Sequence, residues 1–145
     1  MASWAEFAVA EPELAREVQA RFGIRKHNTL ATLRKDGSPR ISGIEVEFAD
    51  GELFLGMMPD SRKLHDLRRD PRMALHSPTE DPPDEHADAW RGEAKVAGRA
   101  VEVRGANRVR IDIGEVVLTH LNQAGDRLVV ESWHPDRGRR RLERT

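Results

Sequence analysis

Two Asp-Gly dipeptides, at residues 36–37 and 50–51, constrain the fold of this chain more than any other feature of its sequence. Asp-Gly between two strand-like runs is among the strongest short signals for a β-hairpin, because the glycine tolerates the positive φ that a tight turn requires. The runs that these dipeptides separate, residues 29–34, 40–48 and 52–57, are typical of strands. The sequence therefore predicts a three-stranded antiparallel meander in the first half of the chain.

The N-terminal segment, residues 1–24, has the pattern of one amphipathic helix. Leu14, Val18 and Phe22 recur at four-residue spacing and so share one face. A proline opens this stretch and a glycine ends it, as at many helix termini. The pattern predicts a helix over residues 11–22 whose apolar stripe covers a core.

A second, shorter helix is predicted directly after the third strand. Ser61 is a favourable N-cap, and Leu64 and Leu67 lie one turn apart. The proline at position 71 disfavours helical backbone in the residue before it, so the helix ends near Arg69.

The rest of the chain is predicted to be strands and surface segments. Residues 78–89 are acidic, contain three prolines and predict a surface loop, and residues 135–145 predict an arginine-rich tail. Four further strands are expected: residues 73–76, residues 90–103 with a bend at Gly98, residues 109–121 broken near Gly114, and residues 127–133.

Helices do not alternate with strands in this order, which argues against an α/β sheet. The order predicts a mainly β protein with few helices. Its core is an antiparallel split β-barrel of six or seven strands, with an N-terminal helix and a short helix after the third strand. The length of 145 residues predicts one domain, 1–145.

Composition narrows the classes of function. Hydrophobic residues make up 38% and charged residues 34% of the chain, which suits a folded domain that gains from burying surface in a partner. The net charge of −1 gives no general attraction for nucleic acid. The sequence has no long apolar run and no basic apolar leader, so we expect a cytoplasmic protein without a membrane partner. Cysteine is absent, which excludes disulfides and thiolate chemistry.

A cationic tripeptide opens the second helix: Ser61 is followed by Arg62 and Lys63. A helix N-terminus offers free N–H groups and about half a positive charge, which suits a phosphate. Arginine adds paired donors and lysine a compact charge. The tripeptide predicts a phosphate site, with a capped helix carrying two solvated cations as the alternative.

Several short motifs also occur in a recognisable order over residues 25–144. In this order, the chain resembles the pyridoxamine 5'-phosphate oxidase-like family of flavin-binding split barrels. Residues 93–103 are similar to the next barrel strand of that family, and residues 131–133 to its tryptophan-containing end. The motifs are Ala31-Thr32-Leu33, Asp36-Gly37, Pro39-Arg40, Ser61-Arg62-Lys63 and Asp70-Pro71.

The resemblance implies a set of cofactor-binding residues. Arg62 and Lys63 would bind the flavin phosphate, helped by Ser61. The second strand would border the flavin ring and ribityl chain, the end of the third strand would add contacts, and a C-terminal tryptophan would approach the cofactor edge. The residues at these last three places are Arg40, Ile41, Ser42 and Gly43, then Gly56 and Met57, then Trp133.

The resemblance further implies FMN as cofactor, or the deazaflavin F420 as the alternative, bound between the subunits of a homodimer. Glu93 stands where the oxidases proper have a glutamine, so pyridoxal phosphate synthesis is not assigned. We expect an oxidoreductase acting on a small molecule, with residues 78–89 as a lid. No catalytic side chain is assigned, because the flavin itself supplies the electron sink.

Other classes of function remain as alternatives. A protein that stores flavin without turnover would have the same motifs. A nucleic-acid binder would use the arginines at residues 139–141, but that run is short and the chain has no basic excess. The ligand-rich run at residues 84–88 lacks the spacing of known zinc motifs, so no metal site is expected.

Overall fold

The structure is a computed structural model and describes residues 1–145. None of its helices combines the length and the apolar character needed to cross a membrane. The elements, in chain order, are α1 (Trp4–Ala10), α2 (Pro12–Phe22), β1 (Asn28–Leu33), β2 (Pro39–Ile44), β3 (Val46–Ala49), β4 (Glu52–Gly56), α3 (Arg62–Arg69), β5 (Arg72–His76), β6 (Glu93–Glu102), β7 (Arg108–Leu121), β8 (Leu128–His134) and β9 (Gly138–Arg144).

The N-terminal segment contains two helices where the sequence predicted one. The Ser3 hydroxyl caps α1 by accepting a hydrogen bond from the backbone N–H of Glu6 at 3.1 Å. The chain leaves helical geometry at Glu11, and Pro12 then begins α2 at a position where its missing N–H costs nothing. The predicted stripe on α2 is correct, since Leu14, Val18 and Phe22 are all buried.

The strands form one antiparallel sheet that closes on itself, which confirms the predicted barrel. Seven of the nine strands follow the order β2-β1-β5-β6-β7-β4-β3. The two ends of this path, β2 and β3, are separated in the chain only by Glu45. The predicted second strand, residues 40–48, therefore bends at Glu45 and pairs with β1 on one side of the bend and β4 on the other. The three-stranded meander predicted for the first half of the chain is therefore divided at this bend into two hairpins, β1-β2 and β3-β4, at the two ends of the strand path.

β7 is the strand at which the barrel splits. Along one edge it pairs with β6 from Val109 to Thr119. Along the other edge, residues 108–110 pair with β4 and residues 116–121 pair with β8. β8 and β9 therefore leave the barrel as a two-stranded extension. Residues 138–144, expected to be part of a tail, form β9 in register with β8.

The predicted irregularities at two glycines are one β-bulge. The register of β6 on β7 shifts between Ala97 and Gly98, so that Gly114 is left without a partner. An added Cβ at Gly98 would lie 2.0 Å from the backbone oxygen of Asp112, so only glycine fits there. The bulge bends both strands without ending either.

The core lies inside the barrel and under the two N-terminal helices. Twenty-four buried apolar residues form one cluster, to which every strand from β1 to β8 except β3 contributes. β9 contributes none, because its residues are exposed or only half-buried. The polar loop at residues 78–89 is exposed and contains a single short 3₁₀ turn, Ala87–Ala89, as a surface loop was predicted.

Candidate functional site

The N-terminus of α3 has the features predicted for a phosphate site. The Ser61 hydroxyl accepts a hydrogen bond from the N–H of Leu64 at 3.4 Å. The N–H groups of Arg62 and Lys63 find no acceptor within the chain, as is usual in the first turn of a helix. The Arg62 side chain is exposed to solvent. Two free amides and two cationic side chains thus lie within one helical turn.

A cleft of about 410 Å³ opens beside Lys63 and brings four of the predicted residues together. Lys63 Nζ donates a hydrogen bond to the backbone oxygen of Gly43, at 3.1 Å. Gly56 and Met57, at the end of β4, line the same cleft. The start of α3 and the strand β2 therefore meet at one opening, as the motifs implied.

The two glycines of this cleft leave room for a ligand. A methyl group added to Gly43 or to Gly56 would meet no protein atom within 4 Å. Neither glycine has a positive φ, so backbone conformation does not require glycine at these positions. An open stretch of backbone at these two glycines therefore lies beside the cationic start of α3.

The sequence did not indicate the other residues of the cleft. Glu45 is the only carboxylate among them, and it is paired with Lys26 at 3.6 Å and His27 at 3.7 Å. Met58 is 75% exposed at the mouth. Glu45 reaches the cleft through the bend between β2 and β3, and Asn107 through the turn before β7, so no short motif could have identified these two residues. The remaining lining residues are His27, Ile44 and Asn107.

The predicted residues of β2 divide between the two faces of the sheet. Ile41 and Gly43 are exposed on the outer face, and Ile41 is 75% exposed. Arg40 and Ser42 are half-buried on the other face, as alternation along a strand requires. A single ligand can therefore contact side chains from only one face of residues 40–43. The residues of the other face can contact it only through their backbone groups.

Arg40 is held by a carboxylate of α3. Its Nε donates to Asp66 Oδ2 at 2.7 Å. The Thr32 hydroxyl donates to the same oxygen at 2.8 Å, and Arg69 donates to Oδ1 at 2.9 Å. Burial alone would raise the pKa of Asp66, but the hydrogen bonds from these three residues outweigh it and hold that pKa below its ordinary value. The carboxylate is therefore ionised and paired at neutral pH.

Trp133 is not brought to the cleft. It is 6% exposed, belongs to the core cluster, and its ring packs against Phe7 of α1 with centroids 4.9 Å apart. The sequence could not distinguish this core position from a cofactor contact, because both use a large aromatic residue on an apolar strand. The expected contact between Trp133 and a cofactor has no support within this chain.

The acidic loop at residues 78–89 does not line the cleft. Its conformation is held by Trp90, whose Nε1 donates to the backbone oxygen of Glu80 at 2.7 Å. Its last part lies against the turn at Gly125, between β7 and β8. The role of this loop as a lid therefore stays a prediction.

The outer face of the sheet carries a second, apolar depression of about 500 Å³. Ile41 pairs with Ala31, Ala31 with Ala74, and Ala74 with Ala97, so four apolar residues on neighbouring strands lie side by side. We call this row the alanine face. It begins at β2, two residues from Gly43 in the cleft.

These features agree with the comparison with known proteins. A family model described as pyridoxamine 5'-phosphate oxidase matches residues 14–137. The chain therefore belongs to the pyridoxamine 5'-phosphate oxidase family, as its motifs indicated. No curated protein matches the chain.

Solved structures share the fold at low sequence identity. A pyridoxamine 5'-phosphate oxidase-related, FMN-binding protein from Nostoc punctiforme is 10% identical, with a TM-score of 0.64 over 93% of this chain and 96% of that one. PhzG from Burkholderia lata, solved with tetrahydrophenazine-1-carboxylic acid, is 14% identical, with a TM-score of 0.63 over 95% of this chain and 91% of that one. A heme-binding protein from Mycobacterium smegmatis is 17% identical, with a TM-score of 0.55 over 79% of this chain and 56% of that one.

Proposed function

We propose that this chain binds FMN in the cleft between α3 and β2 and works as a flavin-dependent oxidoreductase on a small molecule. The observation that carries the proposal is the position of Lys63. Its ammonium group lies 3.1 Å from the backbone oxygen of Gly43, which brings the cationic start of α3 next to the exposed backbone of β2. The similarity to an FMN-binding protein of the same fold supports the same cofactor.

The phosphate would bind at the start of α3. Lys63 and Arg62 supply positive charge, and their two free N–H groups are donors that a phosphate can use without displacing any bond of the helix. The Ser61 hydroxyl already accepts from Leu64, so its proton remains available for a phosphate oxygen.

The ring would lie along the outer side of β2 and the end of β4. Gly43 and Gly56 leave space for a flat group, and Met57 provides a polarisable wall. When bound, the flavin supplies the electron sink for hydride transfer, and the chain supplies binding, orientation and exclusion of water.

The working form would be a homodimer. The sequence motivated this by the apolar strands at residues 109–121 and 127–133, but their apolar side chains lie mainly in the chain's own core. The alanine face is a better basis, because Ile41 leaves an apolar side chain in water beside the cleft. A second copy placed on this face would cover Ile41 and one side of the bound ring.

The test is a titration of the purified protein with FMN, F420 and riboflavin, followed by the change in cofactor fluorescence. We expect saturable binding of FMN, tighter than that of riboflavin because riboflavin lacks the phosphate. If the protein binds F420 and not FMN, the deazaflavin replaces FMN as the proposed cofactor. Binding of none of the three would overturn the proposal.

Turnover is tested separately, by single-turnover oxidation of reduced FMN with quinones, nitro compounds and tetrapyrroles. An oxidoreductase accelerates at least one of these reactions over free reduced FMN. A protein that binds FMN and accelerates none of them stores the cofactor, which would contradict the enzymatic part of the proposal.

A further inference from the structure

Asp66 is the most completely paired buried charge beside the proposed site. Its side chain is only 3% exposed, and both carboxylate oxygens accept hydrogen bonds. Oδ2 accepts from Thr32 of β1 and from Arg40 of β2, and Oδ1 accepts from Arg69 of α3 itself. No motif in the sequence marked this residue.

These bonds connect α3 to the two strands on which it rests. Arg69 adds a further link, because the same Nη2 atom that reaches Asp66 also donates to the backbone oxygen of Leu33 at 2.9 Å. α3 has only eight residues, and a helix of that length is not stable by itself. Its position relative to β2 therefore depends on contacts of this kind.

Asp66 lies one helical turn after Lys63, and Arg40 lies on the strand that carries Gly43. The helix and the strand are thus tied at two points, Lys63 to Gly43 and Asp66 to Arg40. Only the first point would touch the cofactor. The second fixes the distance between the phosphate-binding turn and the ring-binding strand.

We infer that Asp66 is a positioning residue for the flavin phosphate: through Thr32 of β1 and Arg40 of β2 it holds α3 against these two strands and so sets the position of Lys63. This inference rests on the proposed function. It also gives Arg40 a role besides the direct cofactor contact that the family resemblance implied, because Arg40 Nε is engaged by Asp66. Through this bond Arg40 acts on the position of the helix.

The experiment compares FMN with riboflavin, which differ only by the phosphate, in wild type, Asp66→Asn and Asp70→Asn. Asp70 is the matched control, since it ends the same helix and pairs with Arg72 at 2.7 Å, away from the cleft. For Asp66→Asn we expect FMN affinity to fall by about tenfold, the equivalent of one lost charge-assisted contact. Riboflavin affinity stays within about twofold, so the preference for FMN is lost, and Asp70→Asn keeps that preference.

The outcomes separate the inference from the proposed function. If wild type binds neither ligand, the proposed function fails. If wild type prefers FMN and Asp66→Asn keeps the same preference while melting at a lower temperature, Asp66 has only a structural role and the inference is wrong.

Thr32→Val provides a second variant in case Asp66→Asn does not fold. It removes one hydrogen bond to Asp66 and leaves every charge in place. We expect a smaller decrease in the same FMN-to-riboflavin preference. An unchanged preference in folded Thr32→Val, with its melting temperature lowered, would also contradict the inference.

Discussion

Gly43 illustrates how single positions determine what the cleft can hold. It lies in a strand, where glycine usually weakens the structure, and its surroundings leave space for a side chain. Glycine is therefore unnecessary for the fold at this position. The open space beside Gly43 is where the proposed flavin ring would lie.

We expect Gly43→Val to fold at least as well as wild type, because removing a strand glycine gains roughly 0.5 to 1 kcal/mol of unfolding free energy. Its FMN affinity should fall by more than about tenfold, since the side chain occupies the space of the ring. Thermal melting and FMN titration measure the two effects. Gly23→Ala, at the end of α2, where a Cβ makes ordinary contacts, is the control and should change neither. Full FMN affinity in Gly43→Val would place the ring elsewhere.

Most local elements could be predicted from the sequence, because their causes are local. The two Asp-Gly turns and the Ser61 cap each depend on residues a few positions apart, and the bulge was indicated by the glycines at its two positions. β9 could not be predicted, because it is nearly all polar and its order comes from distant partners. Arg139 of β9, for example, bonds to Glu131 and to Glu11, which is 128 positions away in the chain.

The same limit applies to the candidate site. The capped, cationic start of α3 was predictable because Ser61, Arg62 and Lys63 are contiguous. The pairing of Asp66 with Arg40 was not, since it joins residues 26 positions apart whose encounter depends on how α3 packs on the barrel. The core position of Trp133 was not predictable for a similar reason, because its partner Phe7 comes from the other end of the chain.

The extension formed by β8 and β9 is attached to the barrel by a buried carboxylate. Glu131 accepts hydrogen bonds from His120 of β7, at 2.7 Å, and from Arg139, which also pairs with Glu11 between α1 and α2. Burial alone would raise the pKa of Glu131, but these hydrogen bonds outweigh it and hold that pKa below its ordinary value. The network thus joins both ends of the chain to β7.

The lowered pKa predicts how this attachment depends on pH. A carboxylate whose pKa is lower in the folded state stabilises the fold above its unfolded pKa, and this contribution is lost as the pH falls through the folded pKa. Glu131→Gln should therefore melt below wild type at neutral pH, with the difference shrinking as the pH is lowered to about 3. Melting curves over this range measure it. Glu143→Gln, which alters an exposed pair on β9, should change little. If the melting temperature of Glu131→Gln differs from that of wild type by the same amount at every pH, the account is contradicted.

At the scale of the whole molecule, the alanine face and the cleft lie next to each other on one side of the barrel. Ala31 and Ala74 sit in the middle of this face, with Ile41 at its edge. A depression lined by alanines, with Ile41 at its edge, offers apolar surface that an identical surface related by a two-fold axis can cover. The proposed dimer and the proposed cofactor site would then share residues.

Ala74→Glu is expected to disrupt this dimer, because it places a charge at the centre of an interface that buries apolar surface. Light scattering at micromolar concentration should show a dimer for wild type and a monomer for the variant, with weaker FMN binding in the monomer. Val9→Glu replaces an apolar residue on α1 that is 83% exposed and lies off this face, and it should remain dimeric. A wild-type monomer with full FMN affinity would contradict the homodimer.

The central claim is that the start of α3 binds the phosphate of FMN, and the affinity of Lys63→Ala for FMN tests it most directly. Removing one charge-assisted contact, worth roughly 1.5 to 3 kcal/mol, should lower the affinity for FMN by about tenfold to about a hundredfold. Lys35→Ala, at the exposed turn between β1 and β2, removes the same charge away from the cleft and should bind FMN as wild type does. Equal FMN affinity in wild type, Lys35→Ala and Lys63→Ala would contradict the account.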